Sequence, residues 1–176
     1  MYLGEVKKEE LQQLININVT GTTMMTHLVL PQMVAKRKGI IVNISSTSVL
    51  QPVPLCNLYG ASKSFVHQFS EALRFEYKHR GIIVQTVTPF YVSTKINHFS
   101  EELRNVGLFI PTPMTYADSA VDTIGVMDST TGYFPHSVQF CAMQIAPTWV
   151  RSVISGIMYK KMRKAYLRQL KVVPKK

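Results

Sequence analysis

Acidic residues are scarce. Ten Asp and Glu stand against twenty Lys and Arg, a formal charge of +10, and residues 151–176 hold nine of the cations and no carboxylate. Such an end seeks an anionic partner or water. Cysteine is scarcer still: Cys56 and Cys141 are too few and too far apart for a disulfide framework or a zinc site, and both are expected to be reduced, buried thiols. The nine glycines form no cluster, since Gly4, Gly21 and Gly39 are isolated and Gly60 stands beside Tyr59. The chain therefore offers no glycine-rich turn to set a helix N-terminus against a phosphate. No uninterrupted run of eighteen apolar residues occurs, so no membrane span is expected in the chain as given. Glu5, Lys7, Lys8, Glu9 and Glu10 do not fit a signal peptide. His27, His67, His79, His98 and His136 do not fall at metal-ligand spacing, and no metal is expected. The cations are not interleaved with a stacking platform of aromatics, so no nucleic acid partner is expected despite the basic charge.

What is present is the make-up of a folded domain, 46% hydrophobic and 17% charged. Apolar residues from Leu11 to Val29 recur at steps of three and four, which predicts one long helix over residues 5–38 with Pro31 as its kink. "AKRKGIIVNISS" then gives a basic helix end, Gly39 at the C-cap and the run Ile40, Ile41, Val42 and Ile44, apolar on both faces as a buried parallel strand is. The pattern repeats with a helix over residues 58–80 and the strand of "HRGIIVQTVTP". Helix, strand, helix, strand is the signature of an α/β sheet with parallel strands. Beyond Pro89, "PTPM" reads as a turn, residues 116–127 as a helix, "STTGYFPHS" as a loop or short edge strand, and residues 138–170 as helix broken at Pro147. Two strands cannot cover their own faces and edges. The chain is expected to be the C-terminal part of a larger α/β domain, or to need a partner along the open strand edge.

The segment "SSTSVLQPVPLCNLYGASK" carries the chemistry. Tyr59 and Lys63 are four apart near the start of a helix and project from one face. A phenol of pKa about 10 exchanges protons poorly at neutral pH, and an adjacent ammonium favours its phenolate. Ser46, thirteen residues before Tyr59, falls where a strand ends, the usual place for ligand contacts in an open parallel sheet. A hydroxyl that holds a carbonyl and a phenol that passes a proton suit ketone reduction or alcohol oxidation, in which the oxygen is protonated as a hydride arrives.

With Asn18 in "NINVTG", these residues resemble the asparagine, serine and YxxxK tetrad of the short-chain dehydrogenases/reductases. The resemblance implies that Tyr59 is the acid/base, that Lys63 lowers its pKa and binds the nicotinamide ribose, that Ser46 orients the substrate oxygen and that Asn18 anchors a water of the proton relay. "PFYVST" is similar to the family's nicotinamide-contacting PGxVxT, which implies cofactor contacts from Pro89, Phe90, Val92 and Thr94, with Phe90 in place of the usual glycine. "PFYVSTKI", "PTPMTYADSAVDTIG" and "TTGYFPHSVQF" are similar to the branch with 17β-hydroxysteroid dehydrogenases, very-long-chain 3-oxoacyl-CoA reductases and hydroxysteroid dehydrogenase-like proteins. Some members of the last group replace the tyrosine and are thought inactive. Here it is retained. The family's N-terminal half, with its TGxxxGxG turn, is absent.

The resemblance thus implies the C-terminal part of a Rossmann-like doubly wound parallel sheet: residues 1–137 as a partial catalytic domain lacking the glycine-rich half, and residues 138–176 as a basic, amphipathic helical extension. It implies NADP(H), with NAD(H) as the alternative, and a steroid or long-chain 3-oxoacyl-CoA as a hydrophobic substrate. It further implies the endoplasmic reticulum membrane, with the mitochondrion as the alternative place and any anchor in the missing part. The basic end, with Trp149, Ile154, Ile157 and Met158, fits either a membrane surface or a solvated helix. A homodimer through the helices of Asn18 and Tyr59 is common among relatives, though membrane-bound ones need not follow it. The competing expectation is a truncated, inactive member that acts through protein or membrane association. Two minor features stay open: Cys56 as packing residue or reactive thiol, and "HFSEELRNVGLFIPTPM" as substrate lid or surface helix.

Overall fold

The computed structural model describes residues 1–94 and 106–172. After a short 3-10 turn at Leu3–Glu5, α1 (Lys8–Ile15) runs through a π-helical turn at Asn16–Gly21 into α2 (Thr22–Lys36). The expected long helix is therefore continuous, but its irregularity lies at the π turn, and helix α2 passes through Pro31. Strand β1 (Gly39–Ile44) follows, then a 3-10 turn at Thr47–Leu50, α3 (Asn57–Tyr77), a 3-10 turn at Lys78–Arg80 and β2 (Ile82–Val87). The later elements are α4 (Pro113–Val121), β3 (Ser129–Thr130), α5 (Phe134–Ile145) and α6 (Thr148–Val172). "PTPM" is not a separate turn: Thr112 caps α4 by accepting from the Thr115 N–H at 3.2 Å, and Pro113 opens the helix, where its missing N–H is no loss.

All pairing in the sheet β1-β2-β3 is parallel, with Gly39 opposite Ile82, Ile44 opposite Val87, and Thr86 and Val87 opposite Ser129 and Thr130. The α/β class expected from the alternating pattern is the observed one, and "STTGYFPHS" contributes the short third strand. Period-2 alternation sends Ile41, Ile82 and Val84 toward α2 and α3, where they pack with Leu73, Phe69, Leu30 and Met33. Burying each of these side chains stabilises the fold by roughly 1.5–3 kcal/mol.

The opposite face corrects one expectation. Ile40 and Ile44 are 49% and 50% exposed, so β1 is covered on one face only and has no partner along its outer edge among the described residues. The cap of α2 differs as well: Arg37, at φ 50°, takes the left-handed position expected of Gly39. Gly39 instead opens β1, where a Cβ would lie 2.6 Å from Met33 Cγ. Polar anchors complete the frame. Asn43 donates to Ser70 on α3 at 2.8 Å, and the buried Gln85 amide donates to the carbonyls of Thr123 and Met127, both at 2.8 Å. Gln85 thereby fastens residues 122–127, expected to continue the helix from Tyr116, as turns beyond α4 against the far face of β2.

Candidate active site

The site gathers where β1 and β2 end. Ser45 locks the end of β1 to α3 by donating its N–H to Val87 O at 2.7 Å on one side and its hydroxyl to Lys63 O at 2.7 Å on the other. The next residue, Ser46, is extended and caps the following turn, accepting from the Ser48 N–H at 3.2 Å. Its hydroxyl also lies near enough to the phenol of Tyr59, on the first turn of α3, to pull that pKa down. One turn on, Lys63 places Nζ 5.9 Å from the Tyr59 ring centroid and donates to Ile44 O at 2.9 Å. The tertiary fold thus brings Ser46, Tyr59 and Lys63 to one place.

The electrostatics do not follow the expected direction for the tyrosine. Burial pushes the Tyr59 phenol up, the Ser46 hydroxyl pulls it down, and the nearby Cys56 pushes it up; the net shift is upward. Lys63 is not among the groups that shift it; its ammonium donates to the Ile44 carbonyl, and burial lowers its own pKa. Burial also raises the Cys56 thiol, which therefore stays protonated, whereas Cys141, expected to be buried, is exposed on α5.

Asn18 lies in the π turn, a widening of the helix that recurs at functional sites. Its Nδ2 donates to Ser62 Oγ at 2.9 Å, and Ser62 donates to Tyr59 O at 2.8 Å, so the asparagine is joined to the backbone of the tyrosine through one hydroxyl.

The segment leaving β2 is held by Thr47, whose N–H donates to Pro89 O at 3.1 Å. The Phe90 N–H donates to His136 Nδ1 at 3.4 Å, and its ring lies 5.7 Å from the imidazole. Val92 and Thr94 continue this segment, half-buried. His136 is fully buried among Phe90, Tyr116 and Tyr133, and burial lowers its pKa. Sequence reasoning missed this residue as a support for the segment, and also missed Tyr91, which donates to Tyr159 of α6 at 3.3 Å. Burial raises the pKa of both phenols, and Tyr59 and Cys56 lie within electrostatic range of them. Helix α6 is fastened over the same loop by Ser155, which donates to Pro52 O at 3.4 Å, and by Gly156 against Pro54.

A nicotinamide ribose fits these residues. Lys63 offers an ammonium at the strand end, 5.9 Å from the Tyr59 ring, and these are the groups that would hold the ribose. A pyrophosphate does not find the same fit, since the described residues include no glycine-rich turn at a helix start. Of the expected lid, residues 98–105 lie outside the described residues, and in the remainder Gly107 and Ile110 pair as an isolated antiparallel bridge.

A parallel α/β sheet with a serine, tyrosine and lysine at its strand ends defines the class as a Rossmann-like oxidoreductase fold. The profile of the short chain dehydrogenase family matches residues 2–105. The chain belongs to that family, in the branch of hydroxysteroid dehydrogenase-like proteins and very-long-chain 3-oxoacyl-CoA reductases. It is 39% identical over 166 residues to the inactive hydroxysteroid dehydrogenase-like protein 1 of Homo sapiens, covering 94% of this chain and 50% of that protein. It is 42% identical over 168 residues to very-long-chain 3-oxoacyl-CoA reductase-A of Danio rerio, covering 90% and 49%. Among solved structures, a short-chain dehydrogenase from Sphingobium yanoikuyae in complex with NADPH superposes with a TM-score of 0.64 at 27% identity, covering 74% of this chain and 51% of that one. The chain spans about half the length of the curated relatives it matches.

Proposed function

We propose that the protein bearing this chain interconverts a ketone and a secondary alcohol on a long-chain 3-oxoacyl thioester, with a steroid as the alternative substrate. The observation that supports this reading is the convergence of Ser46, Tyr59 and Lys63 at the end of β1. Ser46 holds the substrate oxygen, Tyr59 gives it a proton, and the Lys63 ammonium stabilises the phenolate left behind. A bound nicotinamide supplies the hydride. Burial raises the Tyr59 pKa, so the phenol is protonated at neutral pH, as a donor must be, but it relies on the Lys63 ammonium to release that proton. Asn18, through Ser62, keeps the backbone of Tyr59 in place, and a water at the π turn would return the proton.

NADP(H) is the proposed cofactor, with Lys63 and Tyr59 at the ribose and the Pro89 to Thr94 segment at the nicotinamide. The proposed place is the endoplasmic reticulum membrane, with the exposed Trp149, Ile154 and Ile157 of α6 toward the lipid. No helix among the described residues is long and apolar enough to cross a membrane.

The test is consumption of NADPH with a long-chain 3-oxoacyl-CoA and, separately, a ketosteroid, for the native protein and Tyr59→Phe. Turnover that survives the substitution undiminished overturns the role of Tyr59. A second reading, an inactive member acting by association, is supported by the relatives whose names call them inactive. Absence of NADPH binding, followed by protein fluorescence, would favour that reading.

A further inference from the structure

Beside the active site, between the N-terminal segment and α6, runs a groove of about 430 Å³ lined by Tyr2, Leu55, Leu167 and the cations Lys160, Lys164 and Arg168, with Arg163 in its wall. We propose that this groove binds the phosphate groups of a nucleotide-bearing acyl thioester. The inference rests on the reductase reading above and chooses between its two substrate classes.

Four observations carry it. Lys160, Lys164 and Arg168 are spaced by four along α6, so their charges share one face and repel one another. Among the described residues none of the three has an ion-pair partner, whereas Arg163 is matched by Glu5 at 2.6 Å and stacks over Tyr2 at 5.3 Å. The Glu5–Arg163 pair therefore holds the two walls together, and the other three cations remain for an anion. The groove also adjoins the chemistry: Leu55 lies four residues before Tyr59, Lys160 directly follows Tyr159, which accepts a hydrogen bond from Tyr91 of the segment leaving β2, and Ser155 and Gly156 hold this helix against Pro52 and Pro54 of the loop before Tyr59. A neutral steroid leaves this charge unanswered. A thioester whose carrier bears several phosphates meets it while its acyl end reaches Ser46 and Tyr59.

The experiment is calorimetric titration of the intact protein with coenzyme A. Lys160→Ala, Lys164→Ala and Arg168→Ala together should weaken binding at least about tenfold, since each hydrogen bond between charged groups contributes more than that factor's worth. Lys78→Ala with Arg80→Ala, at the far end of α3, should leave binding unchanged. Circular dichroism confirms that each variant folds. No binding of coenzyme A by the native protein, or equal binding by the triple variant, overturns the proposal. Vesicles containing phosphatidylserine form a second arm: release of the triple variant from vesicles with coenzyme A binding intact assigns the cations to a lipid surface and overturns it too. Tyr59→Phe should bind coenzyme A normally. Binding without turnover would sink the reductase reading and spare the groove, and turnover with unaltered binding in the triple variant would do the reverse.

Discussion

Lys63 donates to the carbonyl of Ile44 at 2.9 Å, so the cation of the site is fastened to the last residue of β1 before any ligand arrives. Its ammonium sits 5.9 Å from the Tyr59 ring centroid, a separation at which it can favour a phenolate once water is excluded. This contact leads to the first prediction. Lys63→Met removes both the hydrogen bond and the charge. Unfolding by urea should show a loss of about 1 kcal/mol, and turnover should fall on the order of 100-fold or more. A wild-type rate in the methionine variant would remove Lys63 from the mechanism.

The joint between Asn18 and Ser62 gives a second. Asn18→Ala leaves the Ser62 hydroxyl without its 2.9 Å donor, and the π turn loses its link to α3. Stability should fall by about 1 kcal/mol, while the rate should fall further than KM rises, because the asparagine acts through the position of Tyr59. An effect confined to stability would leave Asn18 a purely structural residue.

His136 makes stability depend on pH. Burial lowers its folded pKa below the unfolded value of about 6.5, so its contribution is complete above that value and is lost as pH falls from there toward the folded pKa. Urea midpoints taken from pH 7.5 down to 5 should decline, and His136→Phe should flatten that part of the decline. An unchanged slope in the phenylalanine variant would mean that other groups govern it.

Gly81 sits at φ 75°, and a Cβ there would meet Arg37 O at 2.3 Å. Gly81→Ala combines a left-handed strain of about 1–2 kcal/mol with a backbone clash. It should lower the thermal midpoint by several degrees. Gly4, with nothing near its Cβ position, is the control: Gly4→Ala should leave the midpoint within about one degree.

The α/β class and the serine, tyrosine and lysine were legible in the residues themselves. A helix puts positions four apart on one face, and a strand ends where its apolar run stops, so "NISS" and "YGASK" located the chemistry without coordinates. Gly81 was legible as a cap for the same local reason, whereas Gly39 misled because Arg37 took the left-handed turn instead.

What local pattern does not carry is which distant groups share a dielectric and a hydrogen bond. The upward shift of Tyr59, the imidazole of His136 beneath Phe90, the pairing of Tyr91 with Tyr159 across 68 residues and the triple anchoring by Gln85 all depend on contacts made only when the chain has folded. The exposure of Ile40 and Ile44 belongs with them, since an apolar run announces that it can be buried and only neighbouring elements decide whether it is. Sequence by itself determined the kinds of element and the reacting groups, because both follow from short-range geometry. Tertiary structure alone decided their protonation, their supports and the basic groove beside them, because burial and long-range contact are properties of the assembled fold.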